Sequence, residues 1–177
     1  MIAAVLVPLE KYLATVYRPD CDYVDGRLEK RNVGKFEHSE LQRALIFYLT
    51  LHAERFRCWP LPEMRVKVAP NKYRVADICC VRRRPAAAGA EAGIVTDPPA
   101  LVIEILSPED TVPQTEERIE NYLAMGVPFC WLINPRKLDR AYIYEPDQPR
   151  RKVTDGILAA GEISLNLFEL PGFEDFE

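Results

Sequence analysis

Two acids stand inside runs of residues that otherwise favour β-structure: Asp77 in Arg74-Val75-Ala76-Asp77-Ile78-Cys79-Cys80-Val81, and Glu104 in Leu101-Val102-Ile103-Glu104-Ile105-Leu106. Burying an ionised carboxylate costs several kcal/mol unless a cation or donors compensate it, so each acid calls for a specific partner. Two such strands side by side suggest one shared partner, a divalent metal. Oxygen ligands suit hard cations, here Mg2+ or Mn2+. Such an ion polarises a phosphodiester and lowers the pKa of a water, provided a Lys or Arg beside the acids stabilises the charge developing on phosphorus. The bland reading of Asp77 is a structural ion pair with Arg74 or Arg82.

The elements that must hold these acids follow from local pattern. Alternation in the first run puts Tyr73, Val75, Asp77, Cys79 and Val81 on one face, with Asp77 the only charge there. Glu104 has apolar neighbours on both sides, as expected of a central strand covered on both faces. Ahead of them the spacing predicts a short helix over Pro8–Tyr17, then a hairpin of Cys21–Val24 and Arg27–Lys30 around Asp25-Gly26. A long helix runs from about Glu37 to Phe56, carrying His38 and His52. Fourteen residues of helix set these about 21 Å apart, so they are not two ligands of one metal. Trp59-Pro60-Leu61-Pro62 breaks the pattern, and Glu63–Val68 alternates as a strand with one wet face.

After the Asp77 strand, Arg82-Arg83-Arg84 closes the run and Pro85–Pro99 forms a long loop. A helix is predicted from Gln114 to Met125 with Gly126 ending it, then strands at Phe129–Ile133 and Ala141–Tyr144. Asp155-Gly156 signals a second hairpin between Arg151–Val153 and Ile157–Leu158, and Ile163–Phe168 reads as a last strand. Tyr48, Trp59 and Trp131 are most simply core. The order implies a mixed α/β domain whose sheet is flanked by two main helices, one domain over residues 1–177 with the core at about 9–144 and C-terminal strands and tail at 145–177.

Composition agrees. The chain has 177 residues, 48% hydrophobic and 28% charged, with a formal charge of −4, which argues against nonspecific wrapping of nucleic acid and leaves room for a local basic patch. Five cysteines, an odd number without a CxxC pair, support neither a disulfide framework nor a structural zinc site and read as buried thiols in a reducing compartment. The apolar opening Met1–Val7 is cut short by Pro8, Glu10 and Lys11, too soon for a signal peptide or membrane span. A cytoplasmic protein with no membrane association is the expectation.

Beyond the acids, an ordered set of motifs carries a resemblance: Tyr23-Val24-Asp25-Gly26, the His38 helix start, Pro62-Glu63, Asp77 after Arg74-Val75, Val102–Pro108, Tyr122–Pro128 and Trp131–Pro135. Together they resemble the Uma-type endonucleases, a bacterial family of the PD-(D/E)XK superfamily. The resemblance implies a restriction-endonuclease-like fold, a central mixed sheet flanked by helices, and hydrolysis of phosphodiester bonds in DNA. Asp77 and Glu104 become the metal-binding pair, Glu63 a candidate third ligand or a mere surface charge, and His38 a group that orients water or contacts phosphate. Ala76 replaces the proline of the signature and Leu106 its lysine. In the family that lysine has moved onto the next helix, where this chain has Arg118, by default a solvated residue between Glu117 and Glu120. Arginine stabilises negative charge but stays protonated and is no general base. Arg82–Arg84 would grip phosphates if they lay beside the metal. The alternative is a noncatalytic nucleic-acid-binding or interaction module retaining this fold. Enzymes that cut both strands often pair about a two-fold axis, which admits a homodimer although no residue marks an interface.

Overall fold

The computed structural model describes residues 6–32, 34–89, 91–171 and 173; Met1–Val5 of the apolar opening lie outside the described residues. Asp25 and Gly26, both at positive φ (47° and 87°), close the predicted hairpin of β1 (Cys21–Val24) and β2 (Arg27–Lys30). The first helix, α1, is shorter than predicted, Leu9–Leu13. The predicted long helix is two: α2 (Phe36–Leu51) and α3 (Ala53–Phe56), separated at His52.

Strand β3 (Trp59–Ala69) starts four residues earlier than expected, taking in Pro60 and Pro62. Among named strands it pairs only with β4 (Lys72–Val81), and prolines are tolerated on such an edge because no ladder partner needs their missing N–H. The 85–99 loop is pinned on the other side, where Val95 exchanges backbone hydrogen bonds with Arg65 and Lys67 at 2.9 Å. Beyond β4 come β5 (Leu101–Ile105), helix α4 (Val112–Met125), and β6 (Cys130–Ile133), which lies parallel to β5. Gly126 ends α4 at φ 107°, as its position predicts. Strands β7 (Ala141–Tyr144) and β8 (Arg151–Val153) complete a sheet of order β2-β1-β4-β5-β6-β7-β8, with β3 also on β4.

The Asp155-Gly156 hairpin is not formed. Strand β8 instead takes the free edge of β7, while β9 (Ile157–Ala160) pairs with β10 (Ile163–Asn166) in a separate two-stranded sheet. A turn residue pair specifies a reversal, not the partner of the strand that leaves it. Residues 167–169, read as the end of the last strand, form a 3-10 turn.

Helices α2 and α4 cover opposite faces. Leu41, Leu45 and Leu49 pack on Ile78, Ile103 and Trp131 together with Leu158 and Leu165 from the small sheet. Ile119 and Tyr122 pack on Cys79, Val102 and Leu132. Both faces of β4 are therefore dry; Arg74, 2% exposed, reaches Glu117 and Asn121 on α4, the helix that also covers Ala76 and Cys79, so the strict alternation expected over Tyr73–Val81 does not hold. All five cysteines are buried free thiols. Trp131 is core, but Trp59 is 57% exposed because its edge position carries no covering layer. Among the described residues no helix is long and apolar enough to cross a membrane.

Candidate active site

Antiparallel pairing sets Ile78 opposite Ile103, so Asp77 and Glu104 come one position further along the same strand pair. Both are buried, at 3% and 0% exposure. The Ile105 N–H donates to Asp77 Oδ2 at 2.7 Å. Between the two acids lies a guanidinium: Arg31, in the connection from β2 to α2, donates to Asp77 Oδ1 at 2.5 Å and to Glu104 Oε2 at 3.1 Å. The structural partner of Asp77 is thus neither Arg74 nor Arg82.

Helix α4 supplies the other side. Thr115, Arg118, Ile119 and Tyr122 form its buried stripe at helical spacing. Arg118 Nε donates to Glu104 Oε2 at 3.2 Å and the Tyr122 hydroxyl to Glu104 Oε1 at 3.0 Å. Arg118 is 8% exposed, not a solvated helix residue. Its neighbour in the signature, Leu106, is a half-buried apolar side chain packed on the α4 side of the sheet. At the start of α2, buried His38 places Nε2 3.5 Å from Asp77 Oδ2. One turn on, Gln42 Nε2 donates at 2.9 Å both to the Asp77 carbonyl and to Glu63 Oε1. Glu63, at φ 51° in β3, is exposed, and among the described residues no group of three His, Cys, Asp or Glu side chains converges closely enough to hold an ion.

The environments drive the two carboxyls apart. Burial pushes Asp77 up, but Arg31, His38 and the Ile105 N–H together hold it down at about 2. For Glu104 burial wins: its carboxyl sits above the ordinary range despite Arg31 and Arg118. Burial draws His38 down, and its contact with Asp77 more than reverses that. Glu104 and Asp77 likewise outweigh burial at Arg31, keeping it charged.

Arg82–Arg84 are not part of this site. They follow β4, which runs antiparallel to β5, and Cys80 lies opposite Leu101, so the three arginines emerge at the end of the sheet remote from Glu104. Sequence reasoning missed Arg31, Gln42 and Tyr122 as partners of the acids. The one signal for Arg31 was charge balance: two buried carboxylates need more than the single cation on α4.

The mixed sheet thus carries an Asp and a Glu on adjacent central strands, with a basic residue from the following helix on the glutamate. The chain matches, over residues 9–174, the Uma2 family, described as "Putative restriction endonuclease", and it belongs to that family. Its fold is restriction-endonuclease-like. A solved protein from Anabaena variabilis ATCC 29413, described as a putative nuclease belonging to DUF820, superposes with a TM-score of 0.79 at 23% identity, covering 94% of this chain and 98% of that one. No curated protein matches the chain.

Proposed function

We propose that the chain is a metal-dependent endonuclease acting on DNA, with Asp77 and Glu104 holding Mg2+ or Mn2+. The observation that carries this is the convergence of two buried carboxylates from neighbouring strands on one cation, presently the Arg31 guanidinium. The donor set fits a hard divalent ion in kind: both donors are oxygens, Asp77 is held ionised, and the gap between them already accommodates positive charge. Glu63 stands to the side as a third candidate oxygen, linked to the pair through Gln42. When bound, such an ion polarises the phosphodiester and activates water.

The chain's own residues divide the remaining work. Arg118, permanently charged and held by Thr115 and Glu104, stabilises charge developing on the phosphoryl oxygens. It cannot take a proton, so His38, the titratable nitrogen beside Asp77, orients the attacking water and accepts its proton. Arg31 must leave one or both carboxylates for the ion to enter. Its place in a connection between elements allows that more readily than a place within a strand would.

A second reading, the noncatalytic nucleic-acid-binding module, is favoured by that same Arg31 contact, since a site already neutralised by two arginines has no charge deficit. Calorimetric titration with MnCl2 separates them. Binding near one equivalent by the wild type, lost in Asp77→Asn and Glu104→Gln, together with Mn2+-dependent plasmid cleavage lost in the same variants, supports the enzyme. No Mn2+ binding and no cleavage of any nucleic acid favours the module.

A further inference from the structure

Two openings reach the partners of the buried carboxylates. One, under α4, reaches Arg31 and Arg118 and is of mixed charge, with Asp22, Glu29, Glu109, Asp110 and Glu117 beside Lys30, Arg74 and those two arginines. The other, a groove of about 320 Å³, lies where α2 begins and where the chain leaves β5 and β6, strands that run parallel and so end at the same edge. It is lined by His38 and Ser107 at its floor and by Lys35, Arg136, Lys137 and Arg140. Its two acids are engaged: Glu37 accepts from Arg136 at 3.2 Å, and Asp110 accepts from Asn32 and from the Ser107 N–H, both at 2.8 Å. Lys35, Lys137 and Arg140 are exposed and stand in no ion pair among the described residues. Three cations are thus left over on one wall of a protein whose formal charge is −4.

We propose that this groove is the docking surface for substrate, with Lys35, Lys137 and Arg140 holding the phosphate backbone of duplex DNA and leading one strand past His38 to the carboxylates. The inference rests on the nucleic-acid reading above and adds the surface and its polarity: DNA enters from the β6–β7 side, where unpaired cations are in excess, and not from the mixed-charge opening under α4. Backbone contacts of this kind position a duplex without reading its sequence. They also release counterions, so each contributes about −0.9 to the slope of log affinity against log salt.

The test is fluorescence anisotropy of a labelled duplex in EDTA across a salt series, comparing wild type with Lys35→Gln/Lys137→Gln/Arg140→Gln and with Arg82→Gln/Arg83→Gln/Arg84→Gln. The groove variant is expected to flatten the slope by about 3 and bind more weakly at every salt concentration, while the far-edge variant keeps the wild-type slope. Should the groove triple variant melt early, the three single variants carry the same test at about one slope unit each. An unchanged slope in the groove variant, a slope lost only in the far-edge variant, binding confined to RNA or single strands, or no binding by the wild type would each overturn the assignment. Without metal the measurement is independent of hydrolysis. A protein that cuts but keeps its slope in the groove variant loses the groove and keeps the nuclease reading; one that binds through the groove and never cuts does the reverse.

Discussion

Two arginine–carboxylate clusters, each around a buried acid, lie on the same sheet, and they are built differently. In the first, Arg74 on β4 is shared by three acids: Asp22 on β1 at 3.1 Å, Glu29 on β2 at 2.6 Å and Glu117 on α4 at 2.8 Å, with its Nε donating to Asn121 Oδ1 at 3.0 Å. Asp22 spends its other oxygen on the Val75 N–H at 2.7 Å. One cation ties three strands to a helix, and every contributor sits on a regular element. In the second, the acids Asp77 and Glu104 are on strands, but one of their two cations, Arg31, comes from a connection. A buried ion pair therefore does not by itself mark a site. The second cluster differs in that two acids on neighbouring strands converge on one cation supplied from outside the sheet.

The largest separation between the clusters is expected in catalysis. Under the proposed function, Glu104→Gln lowers Mn2+-dependent plasmid cleavage roughly 10³-fold or more, about the loss seen when a principal charge-stabilising group is removed. Arg74→Met should leave cleavage per folded molecule within a few-fold. In stability the order reverses. Arg74→Met strands Asp22 at 2% exposure, a cost of about 3–5 kcal/mol. For a chain of this size that lowers Tm by roughly 10 °C, read by thermal melts.

Arg31→Met also leaves buried acids without a partner and should lower Tm in EDTA, but here MnCl2 restores it, since an ion that binds only the folded state adds stability by mass action. The same variant should bind Mn2+ about tenfold more tightly than wild type, because a competing cation is gone. Mn2+ failing to rescue Arg31→Met, or rescuing Arg74→Met equally, would erase the distinction between the clusters. Arg118→Lys keeps the charge on Glu104 and is expected to change cleavage by about tenfold at most, upward if a titratable amine serves better than a guanidinium. Trp59→Ala, at an exposed edge, should shift stability by less than about 0.5 kcal/mol in a urea titration.

Local pattern carried most of the element order. The Asp25-Gly26 turn, the apolar Leu101–Ile105 strand and the Gly126 stop all depend on backbone preferences and periodicities that act over a few residues. Misreadings fall where the outcome hinges on a distant partner. Pro60 and Pro62 look like breakers until β3 is known to be an edge. Asp155-Gly156 looks like a hairpin until β8 is found on β7. Trp59 looks like core until nothing covers it.

The candidate site divides along the same line. Asp77 and Glu104 could be singled out because an acid within an apolar strand is costly wherever that strand is buried, a rule that needs no knowledge of neighbours. By that rule Asp22, between Cys21 and Tyr23, had an equal claim, and only the resemblance in the ordered motifs told them apart. What set Asp22 apart from the other two was its direct bonding: it pairs with Arg74 and the Val75 N–H, whereas Arg31 bonds Asp77 and Glu104 and acts on Asp22 only through space. Arg31 is 46 residues from Asp77 and 73 from Glu104 in sequence. Composition and spacing dictate that buried acids must find partners; which partner, and whether it sits in a strand or in a connection, is settled only when the sheet brings distant segments together.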